Sequence, residues 1–310
     1  MTWGSYYRGD GVRRELVLDA PPPWRQFPRR SASVPFEPPE GLAAAVNAAL
    51  SLRRPLLITG TPGSGKSTVI ESVAGELGLG PALRWHITSR SELGDALYRY
   101  DVLGRIHEQQ LSRGNGSADD IAPFLQLGPL GTALLPSARP RALLIDELDK
   151  SDLDLPSDLL QVLERGEFEI PELARYSRKE VEVRIWGSED THRVVRGRVQ
   201  CTEFPFIVMT SNGDRDFPAA FLRRCIRFTM PKPDAKAIRQ VVLAHLGLDV
   251  TGVTALSGIV DVFVNRIDAG ESLAVDQLLN AIFVLAGEDA PHGASRQELL
   301  QMLLQDLASG

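Results

Sequence analysis

Gly60-Thr61-Pro62-Gly63-Ser64-Gly65-Lys66-Ser67 decides the fold of this 310-residue chain. The octapeptide has the Gly-x4-Gly-Lys-Ser/Thr spacing of a phosphate-binding loop, and its flanks supply the context that this spacing needs. The apolar run Pro55–Thr59 before it reads as a buried strand, and Ser67–Leu77 after it carries apolar residues at helical spacing. Glycines let consecutive backbone N–H groups curl around an anion, and the helix that follows turns its positive end toward the same charge. Gly60, Thr61, Pro62, Gly63, Ser64 and Gly65 therefore form a cradle for phosphates. Lys66 is expected to reach the β- and γ-phosphates of a nucleoside triphosphate and Ser67 to offer its hydroxyl to Mg2+, with Thr68 next to it.

Outward from the loop, short apolar runs alternate with helical patterns, as in a parallel sheet covered by helices on both faces. The runs are Pro55–Thr59, Ala82–Thr88, Arg141–Asp146, Phe204–Thr210 and Cys225–Met230, so five buried strands are expected. Leu155–Glu164 reads as a helix stopped by Gly166. Beyond Pro231 the pattern is helical only, over 234–246, 254–267, 273–286 and 295–307, the last opened by the capping-box pattern Ser295-x-x-Glu298. The fold class is α/β: an αβα sandwich around a five-stranded parallel sheet in residues 41–231, followed by a small all-helical domain in 232–310. Pro231-Lys232-Pro233 between them suits a stiff hinge.

Residues 1–40 hold seven prolines and six aromatics, Trp3, Tyr6, Tyr7, Trp24, Phe27 and Phe36. Such a segment forms no regular structure of its own; it is either a loose linker or docked against the main domain or a neighbouring subunit. Two long connections, 89–140 and 165–203, interrupt the strand–helix alternation. In the second, Glu180–Trp186 and His192–Gln200 alternate apolar and polar residues around Gly187-Ser188-Glu189-Asp190, which predicts a hairpin within 168–203 with a polar, arginine-rich tip. Its seven basic and seven acidic residues between 166 and 200 leave it neutral, so it suits either contact with a protein or a structural flap.

Leu143-Leu144-Ile145-Asp146-Glu147 ends a buried strand with two carboxylates. Asp146 suits a magnesium ligand acting through the water shell, and Glu147 a base that polarises the water attacking the γ-phosphate. The second carboxylate favours a hydrolase over a kinase, because a phosphotransfer enzyme carrying such a base would lose ATP to water. Asn212 ends the strand Phe204–Thr210 and either orients that water or opens the turn Asn212-Gly213-Asp214. Arg223 and Arg224 precede the last strand, as an arginine finger reaching a neighbour's site or as a surface pair.

The net charge of −6 divides as +1 for 1–40, −2 for 41–231 and −5 for 232–310. Arginines alternate with carboxylates instead of gathering on one face, so no nucleic acid is expected. No apolar stretch approaches membrane-spanning length and no secretory signal opens the chain, so neither membrane association nor export is expected and the cytoplasm is the predicted compartment. Two cysteines, Cys201 and Cys225, make no disulfide framework, and the five histidines show no metal-ligand spacing with them.

The order of phosphate loop, Asp146-Glu147, Asn212, Arg223-Arg224 and helical lid resembles the AAA+ ATPases over residues 41–310, and within them the MoxR-type branch. That branch has an insertion in its second helix and a hairpin before the asparagine strand; Phe124-x3-Gly128-Pro129-Leu130 resembles the former and 168–203 the latter. The resemblance implies a Mg2+-dependent ATPase that assembles into a homo-oligomeric ring, a hexamer being expected, and remodels or matures a protein client, in this branch often one with a von Willebrand factor A-type domain. It also assigns the finger to Arg224 in preference to Arg223. Ser272–Leu279 lacks the sensor arginine that often opens the third lid helix; the nearest basic residue is Arg266. Asp149-Lys150-Ser151-Asp152 approaches a guanine-recognition motif but lies directly after the Asp-Glu strand, so it reads as helix-opening acids and adenine is retained. Two alternatives remain: an ATP-dependent oligomerising switch with little hydrolysis, and a nucleic-acid motor.

Overall fold

A computed structural model describes residues 6–7, 9–27, 36–111, 120–246, 254–271, 273–287 and 290–306. Trp3, Ser272 and the last residue of the expected helix 295–307 lie outside them. In chain order the first elements are α1 (Leu42–Leu52), β1 (Leu56–Thr59), α2 (Thr68–Leu77), β2 (Leu83–His86), α3 (Leu93–Leu97) and β3 (Tyr98–Tyr100). Then come α4 (Val102–Leu111), β4 (Leu125–Leu127), α5 (Pro129–Ala133), β5 (Ala142–Asp146), α6 (Leu155–Arg165), β6 (Glu167–Glu169) and α7 (Pro171–Ala174). The chain continues through β7 (Glu180–Arg184), β8 (Thr191–Val195), β9 (Arg198–Gln200), β10 (Phe206–Ser211), α8 (Ala219–Leu222) and β11 (Ile226–Thr229). Four helices follow: α9 (Ala235–Leu246), α10 (Thr254–Asp268), α11 (Val275–Leu285) and α12 (Gly293–Leu303).

The five expected strands form one parallel sheet in the order β11-β1-β10-β5-β2. Its three inner strands are apolar runs because helices cover both faces: all six residues of β10 are buried, and the first four of β5. β11 sits at an edge and is only half buried on alternate residues. The fold is therefore the expected α/β sandwich with further helices at the C-terminal end.

A second, six-stranded sheet, β3-β4-β7-β8-β9-β6, departs from the expectation. It joins both long connections: β3 and β4 come from the first, the remaining strands from the second, and Gln126 of β4 pairs in parallel with Arg184 of β7. The alternation in 180–200 predicts a two-armed hairpin; the second arm instead turns again at Arg196-Gly197, both at positive φ, and returns as β9 to pair with β6. The tip holds Gly187-Ser188-Glu189-Asp190 and no arginine; Arg193 and Arg198 lie on the strands, paired with Glu180 and Glu167. Val183, Val199 and Phe168 of this sheet share one apolar core with Leu57, Ile145, Ile207 and Met209 of the first. In the segment that resembles the family insertion, Gly128 donates its N–H to Leu97 O at 2.9 Å and α5 is buried along its whole length.

By internal packing the chain forms two units. One is Pro38–Thr59 with Gly65–Met230; the other comprises the described residues of Met1–Glu37, Gly60–Ser64 and Pro231–Gly310. The second has its own core of Ile238, Val242, Val260, Phe263, Leu278 and Ile282. Trp24 docks on it: the indole N–H donates to Asn280 Oδ1 at 3.2 Å, and the ring stands edge-on to Phe283. Leu16, Val17 and Leu18 upstream remain exposed. The capping box at Ser295 does not form, because α12 begins earlier, at Gly293, and places Ser295 inside its first turn. Among the described residues no helix is long and apolar enough to cross a membrane.

Candidate functional site

Parallel pairing in register brings the carboxyl ends of the strands level: Thr59 lies opposite Ser211 and Thr229, and His86 opposite Asp146. The loops leaving that edge form the crevice where ligands bind in open α/β sheets. Glu147 and Asn212 directly follow two of those strand ends, and Lys66 and Ser67 precede α2.

The phosphate loop turns through positive φ at Gly63 (73°) and Gly65 (82°), and Thr68 N–H closes onto Gly65 O at 3.1 Å as α2 begins. A side chain at Gly63 would bring its Cβ to 2.8 Å from the backbone nitrogen of Val275, so the loop tip needs glycine for space as well as for conformation. Thr61 and Pro62 also line a cavity of about 130 Å3 with Lys232, Ile267, Leu273 and Val275.

Lys66 is only 7% exposed and donates from Nζ to Asn212 Oδ1 at 2.9 Å. Burial pushes its ammonium below the usual lysine range, and the carboxylates of Asp149, Asp146, Glu147 and Asp214 pull the other way. A buried cation at a helix N-terminus is arranged for a polyanion. Ser67 Oγ donates to Asp146 Oδ1 at 2.7 Å. Thr210 Oγ1 donates to the same oxygen at 2.6 Å and accepts the Glu147 N–H at 2.9 Å, so one hydroxyl ties both acidic residues to the neighbouring strand. Sequence reasoning missed Thr210, one of two buried polar residues, with Ser211, that close the apolar run of β10.

Glu147 takes a left-handed backbone, φ 60°, which turns its side chain out of the strand direction. Its Oε2 accepts from Lys150 Nζ at 2.7 Å, and His86 Nε2 lies 3.4 Å away. The bond to Glu147 raises the Lys150 pKa. Sequence reasoning missed both for the site: Lys150 reads there as part of the helix-opening motif, and nothing in the sequence pairs His86 with residues some 60 positions later. The motif itself needs correction. Asp152 does open a helix, accepting the Leu155 N–H at 2.9 Å, but Asp149 is 5% exposed and accepts the N–H groups of Asn212 at 2.8 Å and Asp214 at 3.2 Å.

The structure thus brings Lys66, Ser67, Asp146, Glu147 and Asn212 together through hydrogen bonds along one sheet edge. It places Arg223 and Arg224 elsewhere, at the end of α8. Arg224 is ion-paired with Glu164 of α6 and donates to Ala220 O at 3.1 Å, whereas the Arg223 side chain has no ion-pair partner among the described residues. Arg266 is held by Glu271, with Nε 2.7 Å from Oε2. Among the described residues no group of three or more His, Cys, Asp or Glu side chains could hold a metal. Mg2+ needs no such group: it favours hard oxygens, takes one or two protein ligands, and fills its octahedron with water and phosphate, a demand that the Ser67 hydroxyl and Asp146 carboxylate fit.

Residues 55–225 match the family model described as the AAA domain of the dynein-related subfamily. No curated protein matches the chain. Among solved structures it is similar to NtrX from Brucella abortus, crystallised in complex with ADP, at 14% identity and a TM-score of 0.44; the match covers 85% of this chain and 52% of that one, so the chain spans about half that structure's length.

Proposed function

The chain belongs to the AAA domains of the dynein-related subfamily, and from that premise we propose that it is a Mg2+-dependent ATP hydrolase of the MoxR-like type, working as a ring that remodels or matures a partner protein. The observation that carries this reading is the linkage of phosphate loop to strand ends, Ser67 to Asp146 and Lys66 to Asn212. Lys66 binds the β- and γ-phosphates; on ATP binding, phosphate oxygens replace Asn212 as its partner, which frees that amide to orient water. Ser67 and Asp146 hold Mg2+, which supplies charge neutralisation on the phosphates when bound. Glu147 takes the proton from the attacking water.

Arg224 remains the finger under this reading, with Arg223 beside it. Its pair with Glu164 is exposed, and such pairs contribute about 0–1 kcal/mol, so releasing it toward a neighbouring subunit costs little. The neutral hairpin sheet is the element offered to a protein client, with a von Willebrand factor A-type domain as the first candidate; dispersed charge disfavours nucleic acid, and the cytoplasm is the proposed compartment.

Purified wild type, Lys66→Ala and Glu147→Gln test the core of this reading through ATP affinity and phosphate release. Lys66→Ala is expected to lose binding, Glu147→Gln to bind and fail to turn over. Normal turnover by Glu147→Gln would remove Glu147 from the mechanism. Two observations favour the switch as second reading: Lys150 holds Glu147, and Glu271 holds Arg266, the nearest lid arginine to the expected sensor position. Assembled protein that binds ATP but releases phosphate no faster than background decides for the switch.

A further inference from the structure

Asp149 is a buried carboxylate whose only part in the site described above is its pull on the Lys66 ammonium. Folding it away from water is costly unless its oxygens are bonded. One oxygen, Oδ2, receives two backbone N–H groups from the loop after β10, Asn212 at 2.8 Å and Asp214 at 3.2 Å; Oδ1 is buried without a hydrogen-bond partner among the described residues. Close by, Arg215 donates to Ser151 O at 2.7 Å, to Ser151 Oγ at 3.2 Å and to Asp152 O at 2.9 Å, and Ser151 is itself 5% exposed. The turn after β5 and the loop after β10 are therefore stitched together, with Asp149 gripping the backbone of the residue whose side chain meets Lys66.

From this geometry we infer that Asp149 is a positioning residue for ATP hydrolysis, fixing the Asn212 amide at the height of the γ-phosphate by holding its backbone N–H, an inference that rests on the ATPase reading above. The carboxylate acts through Asn212, whose backbone N–H it accepts at 2.8 Å. Helix opening does not explain it, because Asp152 performs that task, and a surface role is excluded by its burial. A left-handed Glu147 two residues earlier makes the same point from the other side: this short turn sets the height of both Glu147 and Asn212, so loosening it misplaces the groups around the attacking water while the phosphate loop stays intact.

The test uses the full chain with Asp149→Ala, Asp149→Asn and Asn212→Ala, singly and as Asp149→Ala/Asn212→Ala. Losing the acceptor frees the N–H groups of half-buried Asn212 and exposed Asp214 to shift, so Asp149→Ala is expected to lower kcat about tenfold or more while ATP affinity stays within about threefold. Asn retains an oxygen acceptor, so Asp149→Asn is expected to recover most of that loss. The double variant is expected to be no slower than Asn212→Ala, as for residues acting through one another. Amide hydrogen exchange reads the positioning without nucleotide: faster exchange at residues 212 and 214 in Asp149→Ala, and near wild-type exchange in Asp149→Asn. Unchanged kcat in Asp149→Ala, or losses that multiply in the double variant, overturns the inference while leaving the ATPase reading standing. Wild type without turnover defeats that reading and the catalytic part of this one together, and unchanged amide exchange overturns the positioning by itself. Should Asp149→Ala fail to fold, Asp149→Asn still decides, because a tenfold loss with the acceptor retained contradicts positioning through the hydrogen bonds.

Discussion

Replacing Gly63 by alanine tests whether the loop tip is built as described. The residue sits at φ 73°, and a Cβ added there would meet Val275 N at 2.8 Å. The left-handed backbone alone costs an L-residue about 1–2 kcal/mol. That energy has two places to go. If the tip relaxes out of the strained conformation, ATP binding must restore it and the affinity falls about 5–30-fold. If the tip cannot relax, the same energy is lost from stability, where it lowers Tm by roughly 2–8 °C for a unit of this size. The contact with Val275 adds to either channel. Calorimetric titration with ATP and thermal unfolding should be run on the same preparations. Gly75→Ala is the control, because Gly75 lies exposed in α2 with nothing within 4 Å of an added Cβ, and alanine there should stabilise by up to about 0.5–1 kcal/mol. If Gly63→Ala leaves both ATP affinity and Tm unchanged, the strained tip and its approach to Val275 are wrong.

Arg224→Ala is expected to bind ATP normally and hydrolyse slowly, by up to about 10³-fold where fingers act strongly. Because Lys66→Ala keeps its finger and Arg224→Ala its phosphate loop, mixed assemblies should regain activity that neither variant has; mixtures showing only the summed residual rates, with co-assembly proven, refute a finger acting between subunits. Excising Ser188–Asp190 at the hairpin tip should leave ATP affinity unchanged, since the tip's hydrogen bonds close within residues 185–190; lost binding contradicts this separation. Burial pushes the Cys225 thiol up to about 12 and that of Cys201 in the same direction, so both stay protonated at pH 8, below their pKa. Iodoacetamide should label the native protein far more slowly than the denatured chain, and a thiol reacting at the denatured rate disproves its burial.

Where sequence reading succeeded, the information was local. The phosphate loop, the carboxylate pair at the end of β5 and Asn212 each follow an apolar run, and a strand buried on both faces announces itself by continuous hydrophobicity. The four C-terminal helices were legible from the 3.6-residue period, to within two residues at the starts of α9, α10, α11 and α12. Element ends were less so: Ser295 looks like a cap in sequence, but α12 begins two residues sooner, at Gly293, after an extended His292.

What the sequence by itself determined was therefore the α/β sheet and the order of motifs along it. Tertiary structure alone decided which groups those residues meet. Two insertions joined into one six-stranded sheet, because a three-residue strand such as β4 has no periodicity to read and gains its place only by pairing with β3 and β7. Lys150 and His86 came to flank Glu147, Thr210 to bridge the acidic pair, and Asp149 to grip Asn212, each across dozens of residues except Lys150. A hydrogen bond depends on distance and angle, and residue types 60 positions apart specify neither until parallel pairing sets the strand ends level.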